Sequence, residues 1–205
     1  MIGIYGGTFD PIHYGHLRTA LEVKERLFLD EVRLVPCSLP AHRESPAVSA
    51  EMRVDMLNLA AKYVDEFVVD RRELDRDGAS YMVDTLKSFR YEYPESSLVL
   101  IIGTDAYQGL MSWFKWQQLF DYAHVVVITR PGYKQQITSD FLSSRLTGEK
   151  SDLKRTRFGC LFFQAVTQLD ISATSIRQAF KSGSSLQFLL PDDVINYIKL
   201  NKLYV

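Results

Sequence analysis

The chain has 205 residues, enough for one domain with a substantial core, and its 46% hydrophobic and 24% charged residues are ordinary globular composition. Twenty-four Lys and Arg against 25 Asp and Glu leave a formal net charge of −1, which argues against a nucleic-acid partner held by a broad basic surface. Cys37 and Cys160 are the only cysteines and have no metal or disulfide-framework spacing; no apolar run is long enough for a membrane span or a signal peptide, so a soluble cytoplasmic protein is expected.

In chain order, residues 2–5 read as a buried strand, followed by a glycine-rich turn over 6–16. Leu17, Ala20, Leu21, Leu27 and Phe28 then repeat at helical spacing, with Arg18, Glu22 and Arg26 on other faces. A strand over 32–35 leads into 36–49, whose Pro, Ser and Ala suggest a mobile loop. Met52, Met56, Leu57 and Ala60 predict a second helix before a strand at 67–69. Met82, Leu86, Phe89 and Tyr93 form a third stripe, ended by Pro94. Strands at 98–102, 124–128 and 161–164 follow, and the polar stretch 139–157, which lacks periodicity, reads as a surface excursion.

Two closing helices are expected over 174–181 and 191–199, the second with Pro191 in its first turn and charges that complement its dipole. The alternation predicts a single α/β domain: a Rossmann-like doubly wound parallel sheet with helices on both faces and a small C-terminal helical portion over 172–205. Loops 6–16, 36–43, 103–105 and 130–132 all follow strands, so they should gather at one sheet edge, where such folds bind ligands.

Two segments carry chemistry. The first is Gly6-Gly7-Thr8-Phe9-Asp10-Pro11-Ile12-His13-Tyr14-Gly15-His16. It contains neither GxGxxG nor the closing Gly-Lys-Ser/Thr of a P-loop. It does set two histidines at a helix start, where free N–H groups favour phosphate. A lone histidine there would be an ordinary cap or a half-buried side chain; two beside a Gly-Gly-Thr turn favour function. The second segment, 171–177, offers Ser172, Thr174, Ser175 and Arg177 before an apolar stripe. An N-cap needs one hydroxyl, so three with an arginine suit a polyphosphate.

Together these segments resemble the nucleotidyltransferases with a His-x-Gly-His signature, and most closely the bacterial nicotinate mononucleotide adenylyltransferases. Residues 36–43, 80–86, 103–105, 113–114 and 129–133 agree in order and spacing, so the resemblance covers nearly the whole chain. Ala41 and Phe114 depart from the commoner Pro and Tyr. The resemblance implies adenylyl transfer from ATP to nicotinate mononucleotide in NAD biosynthesis, with pyrophosphate leaving. It implies that His13 and His16 contact the ATP phosphates, His16 at the α-phosphoryl group, with Gly6, Gly7 and Thr8 alongside. Ser172, Thr174, Ser175 and Arg177 would hold the departing phosphates, and Asp105 the ATP ribose.

On the mononucleotide side, Trp113 would stack on the pyridine ring, and backbone N–H groups near Thr85 and Phe114 would receive its carboxylate. His42, Arg43 and Arg130 are candidate phosphate or loop contacts, and Trp116 reads as core packing. Mg²⁺ is expected on the ATP phosphates, with no dedicated protein ligands, and Asp10 reads as a residue that structures the turn. Nicotinamide mononucleotide or phosphopantetheine as acceptor, and a non-catalytic nucleotide-binding module, are the competing readings. The oligomeric state stays open, with a homo-oligomer among the options.

Overall fold

The computed structural model describes residues 1–38, 46–137, 139–167 and 169–204. Among these, six parallel strands form one sheet in the order β3-β2-β1-β4-β5-β6. They are β1 (Ile2–Gly7), β2 (Glu31–Pro36), β3 (Phe67–Val69), β4 (Leu98–Gly103), β5 (His124–Thr129) and β6 (Leu161–Ala165). The chain builds outward from β1 to β3, then crosses back to lay β4 against β1, with Ile4 opposite Leu100. That reversal opens a crevice beyond the carboxyl ends of β1 and β4. Because all strands run the same way, the loops that follow them share one edge, as the alternation predicted.

Side chains on β4 and β5 alternate between two cores. Val99, Ile101, Val126 and Ile128 join one; Leu98, Leu100, Ile102, Val125 and Val127 join the other. Helices α1 (Tyr14–Leu27) and α2 (Ala50–Ala61) close the first core through Ala20, Val23, Met56 and Leu57. On the opposite face α3 (Met82–Glu92) contributes Val83, Leu86 and Phe89, packing with Leu119 and Phe120. Each such aliphatic side chain contributes about 1.5–3 kcal/mol when fully buried.

A short helix, α4 (Thr104–Gln108), follows β4, and α5 (Leu119–Tyr122) precedes β5. Stretch 139–157 departs from the expected excursion: it holds α6 (Asp140–Ser143) and α7 (Lys150–Arg155), which bury Leu142 and Leu153. With one buried anchor each, these helices show no stripe. The closing helices are α8 (Ala173–Lys181) and α9 (Asp192–Leu200), and Ile176, Val194, Ile195 and Ile198 join the core under α1 and α2. Pro191 is the N-cap of α9 and not a first-turn residue. Phe28, expected on the α1 stripe, is the left-handed C-cap (φ 56°) and 69% exposed. No described helix is long and apolar enough to cross a membrane.

Candidate active site

At the end of β1 the chain has little room for side chains. A Cβ on Gly7 would lie 2.9 Å from the Phe9 ring, which covers the turn from a left-handed backbone (φ 50°). Phe9 is buried and meets His16 edge-on at 5.2 Å between ring centres. The turn therefore rests on an aromatic floor.

His13 is the N-cap of α1, but its side chain makes no capping hydrogen bond. Its ring stacks on that of His16, 3.7 Å between centres and 26° between planes. Gly15 makes this stack feasible: a Cβ there would sit 2.9 Å from His13 Nδ1 and 3.4 Å from the Ile171 carbonyl oxygen. The glycine between the histidines thus admits both the imidazole and the incoming C-terminal segment. Burial lowers the His13 pKa to about 4; burial, and then the neighbouring His13, hold His16 well below its ordinary range. Both rings are neutral at neutral pH.

The Nδ1 atoms of both histidines are buried without a hydrogen-bond partner. Buried polar groups of this kind cost free energy unless a ligand or water meets them, which suits them to ligand contact. No acidic residue occupies the first turn of α1, so its positive end is uncompensated.

Asp10, buried in the same turn, joins three distant segments. Its carboxylate accepts from the Ala47 N–H at 2.7 Å and from the Tyr204 hydroxyl at 2.6 Å; its carbonyl accepts from Arg177 Nη1 at 2.7 Å. This agrees with Asp10 as the residue that structures the turn, and it fastens α8 to the β1–α1 loop. Burial, followed by the Asp10 contact, raises the Tyr204 hydroxyl far above its ordinary range.

The start of α8 engages its own hydroxyls more than the sequence suggested. Ser172 is the N-cap, and with Ser175 it forms a reciprocal capping box: Ser175 N–H donates to Ser172 Oγ at 3.1 Å and Ser172 N–H to Ser175 Oγ at 3.3 Å. Thr174 Oγ1 accepts from Arg177 Nη2 at 3.3 Å. Ser172, Thr174 and Ser175 are nonetheless exposed, and Arg177 is half-buried.

Beyond β4, a Cβ on Gly103 would meet nothing within 4 Å, so the crevice is open there, and Asp105 is exposed in α4. Across the crevice, Tyr81 lies against Phe114 with ring centres 4.7 Å apart, which brings the start of α3 to the 113–114 segment. Trp113 is half-buried against the second core and Phe114 is 46% exposed. Thr85 is fully buried, its N–H donating to the Tyr81 carbonyl at 3.2 Å and its hydroxyl to Glu73 Oε1 at 2.6 Å. Trp116 meets Phe141 edge-on at 5.0 Å, in keeping with a packing role. Arg130 is exposed and lies 3.9 Å from Asp170. His42 and Arg43 fall outside the described residues.

Sequence reasoning missed Arg53, Glu73 and Tyr204. Arg53 had a signal: it occupies the buried stripe 53, 56, 57, 60 of α2, where a charge is out of place. Glu73 and Tyr204 lie outside any repeating pattern.

The Cytidylyltransferase-like family model matches residues 4–179. A chain of Methylococcus capsulatus bearing the name "Probable nicotinate-nucleotide adenylyltransferase" is 47% identical, covering 100% of this chain and 99% of its own. One of Halorhodospira halophila with the same name is also 47% identical, over 94% of this chain and 90% of its own. Among solved structures, Plasmodium falciparum nicotinic acid mononucleotide adenylyltransferase complexed with NaAD matches with a TM-score of 0.74. That match covers 99% of this chain and 96% of the other at 18% identity, a likeness of fold.

Proposed function

Because the chain belongs to the Cytidylyltransferase-like family and, within it, to the nicotinate-nucleotide adenylyltransferases, we propose that it joins ATP to nicotinate mononucleotide in NAD biosynthesis. An oxygen of the mononucleotide phosphate attacks the α-phosphorus of ATP. The bond from that phosphorus to the α,β-bridging oxygen breaks, and pyrophosphate leaves with the electron pair. Nicotinate adenine dinucleotide is the other product. The chemistry is positioning and charge stabilisation, with no covalent enzyme intermediate.

The observation that carries this reading is the stacked pair His13 and His16, with ring nitrogens unpartnered at the start of α1 and Arg177 fastened to the same turn. Each neutral ring has one N–H to donate, and His16 acts at the α-phosphoryl oxygens as charge builds there. Gly6, Gly7 and Thr8 line the approach. Arg177, with Ser172, Thr174 and Ser175, receives the β- and γ-phosphates, the hydroxyls turning from their mutual bonds toward the ligand. Asp105 accepts from the ribose hydroxyls in the open space beside Gly103.

Trp113 stacks on the pyridine ring. Its carboxylate is received by N–H groups at the start of α3 and near Phe114; the Thr85 N–H is engaged inside α3, so the amides of the preceding turn are better placed. Neutral donors favour a carboxylate over an amide, whose NH₂ would face another donor. His42, Arg43 and Arg130 are assigned to the mononucleotide phosphate.

Mg²⁺ is the expected metal. Among the described residues no group of three or more His, Cys, Asp or Glu could hold an ion, and both Asp10 carboxylate oxygens are engaged. An ion that arrives on ATP, coordinated by phosphates and water, is compatible with this donor set. When bound, it would supply charge neutralisation at the phosphates. No protein ligand is assigned to it.

Mixing the protein with ATP, Mg²⁺ and nicotinate mononucleotide and measuring pyrophosphate tests the proposal. Release is expected well above that of His16→Ala, and faster than with nicotinamide mononucleotide or phosphopantetheine. No release above the variant would overturn the enzyme reading. Preference for another acceptor would overturn the substrate.

A further inference from the structure

Arg53 is the largest fully buried side chain of the described residues, 1% exposed, and forms no ion pair among them. Its Nη1 donates to the Thr8 carbonyl at 2.8 Å and its Nη2 reaches the Ser38 carbonyl at 3.5 Å. Its Nε is buried with no partner. The side chain thus bridges the ends of β1 and β2, beneath the Gly6–Thr8 turn, and contributes a full positive charge there.

Among the described residues no carboxylate is bonded to the guanidinium. Asp10 accepts from Ala47 and Tyr204, and Glu73 accepts from Thr85. A buried guanidinium held, among the described residues, by two carbonyl oxygens and the Cys37 thiol bears a desolvation cost that those neutral partners do not fully offset. A positive charge kept beneath the turn that faces the phosphate site can be answered by an anion bound above that turn, and that anion is the substrate.

We propose that Arg53 is an electrostatic positioning residue for adenylyl transfer: it fixes the Thr8 and Ser38 carbonyls and holds its positive charge for the phosphates that gather above the β1–α1 turn. The inference rests on the phosphate-site reading above. With both histidines neutral, Arg53 and Arg177 supply the fixed cations on the two sides of that turn. Arg53 acts through the turn that it holds and through its field, without contact to the reacting atoms.

The test compares wild type with Arg53→Lys and Arg53→Met in two measurements. The first is pyrophosphate release with each substrate varied. Arg53→Met is expected to lower kcat about a hundredfold, the scale of a lost transition-state charge partner, and to raise the KM for ATP by a smaller factor of roughly three to ten, since the same field also acts on bound ATP. Arg53→Lys, which keeps the charge without the fork, is expected to recover about tenfold of that loss. The second is thermal unfolding with and without ATP and Mg²⁺, which reads binding even if wild type shows no turnover. Arg53→Met is expected to unfold at or above the wild-type temperature without ligand and to gain less from ATP.

Wild-type kcat in Arg53→Met, or the same loss in Met and Lys variants, would overturn the proposal. So would an undiminished ATP shift in Arg53→Met. An inactive wild type with a normal ATP shift would instead refute the enzyme reading, and the shifts of the variants would still decide the role of Arg53.

Discussion

The two segments that face the phosphates are built in opposite ways. In the β1–α1 turn the two histidines are held inward without partners at Nδ1: His13 is 4% exposed, His16 is half-buried, and both Nδ1 atoms are buried and unsatisfied. At the start of α8 the functional side chains are exposed and have partners already, because Ser172 and Ser175 cap one another and Thr174 meets Arg177. The first arrangement is fixed before the ligand arrives and gains most where charge changes during reaction. The second can exchange its internal bonds for phosphate and release them again, which suits a leaving group. The two touch at Gly15 and through the bond from Arg177 to Asp10.

The strongest way to break this contrast is Gly15→Ala. The added methyl would displace His13 and press on the Ile171 carbonyl, moving both segments at once. Turnover is expected to fall about a hundredfold, the usual cost of an ångström-scale misplacement. Steady-state kinetics with a circular-dichroism check of folding reads it.

Titration sharpens the contrast next. Between pH 6.5 and about 4 the unfolded chain binds a proton at His13 that the native chain excludes, so stability falls as pH falls through that window. The loss is roughly 3 kcal/mol for a shift of this size in a buried group. Glu22 behaves differently: burial would raise its carboxyl, but the Thr167 N–H and Arg18 hold it at about 2. Its contribution persists through the histidine window and disappears only as pH falls from about 4.5 toward 2. Denaturant unfolding from pH 7 to pH 4 should show a loss in wild type that is smaller in His13→Asn. The same slope in both would contradict the burial account.

The smallest effect belongs to the exposed segment. Ser172→Ala removes one half of the capping box and is expected to cost about 1 kcal/mol of stability. Turnover should fall only a few-fold. A collapse comparable to that of Gly15→Ala would mean that α8 is as rigidly required as the turn.

Much of this was readable beforehand. The six strands announce themselves because buried parallel strands are continuous apolar runs, and the histidine pair stands out because a glycine separates two ionisable residues at a helix start. What stayed hidden has physical causes. Helices α6 and α7 bury one leucine each, too few for a period. The serines of 171–177 looked like surplus hydroxyls because a capping box between two serines is not visible from composition. Thr85 sits in a motif, but which of its groups α3 consumes depends on the helix start at Met82. Arg53 was legible as a charge on an apolar stripe, whereas Tyr204 owes its role to a partner 194 residues away in the chain.

The division between a buried reacting side and an exposed gripping side is tested most directly at His16. Calorimetric ATP binding and pyrophosphate turnover should be measured on the same preparations of wild type and His16→Ala. Turnover is expected to fall about a thousandfold, while the Kd for ATP changes by no more than about threefold. Equal losses in both would make His16 a binding residue and contradict the division.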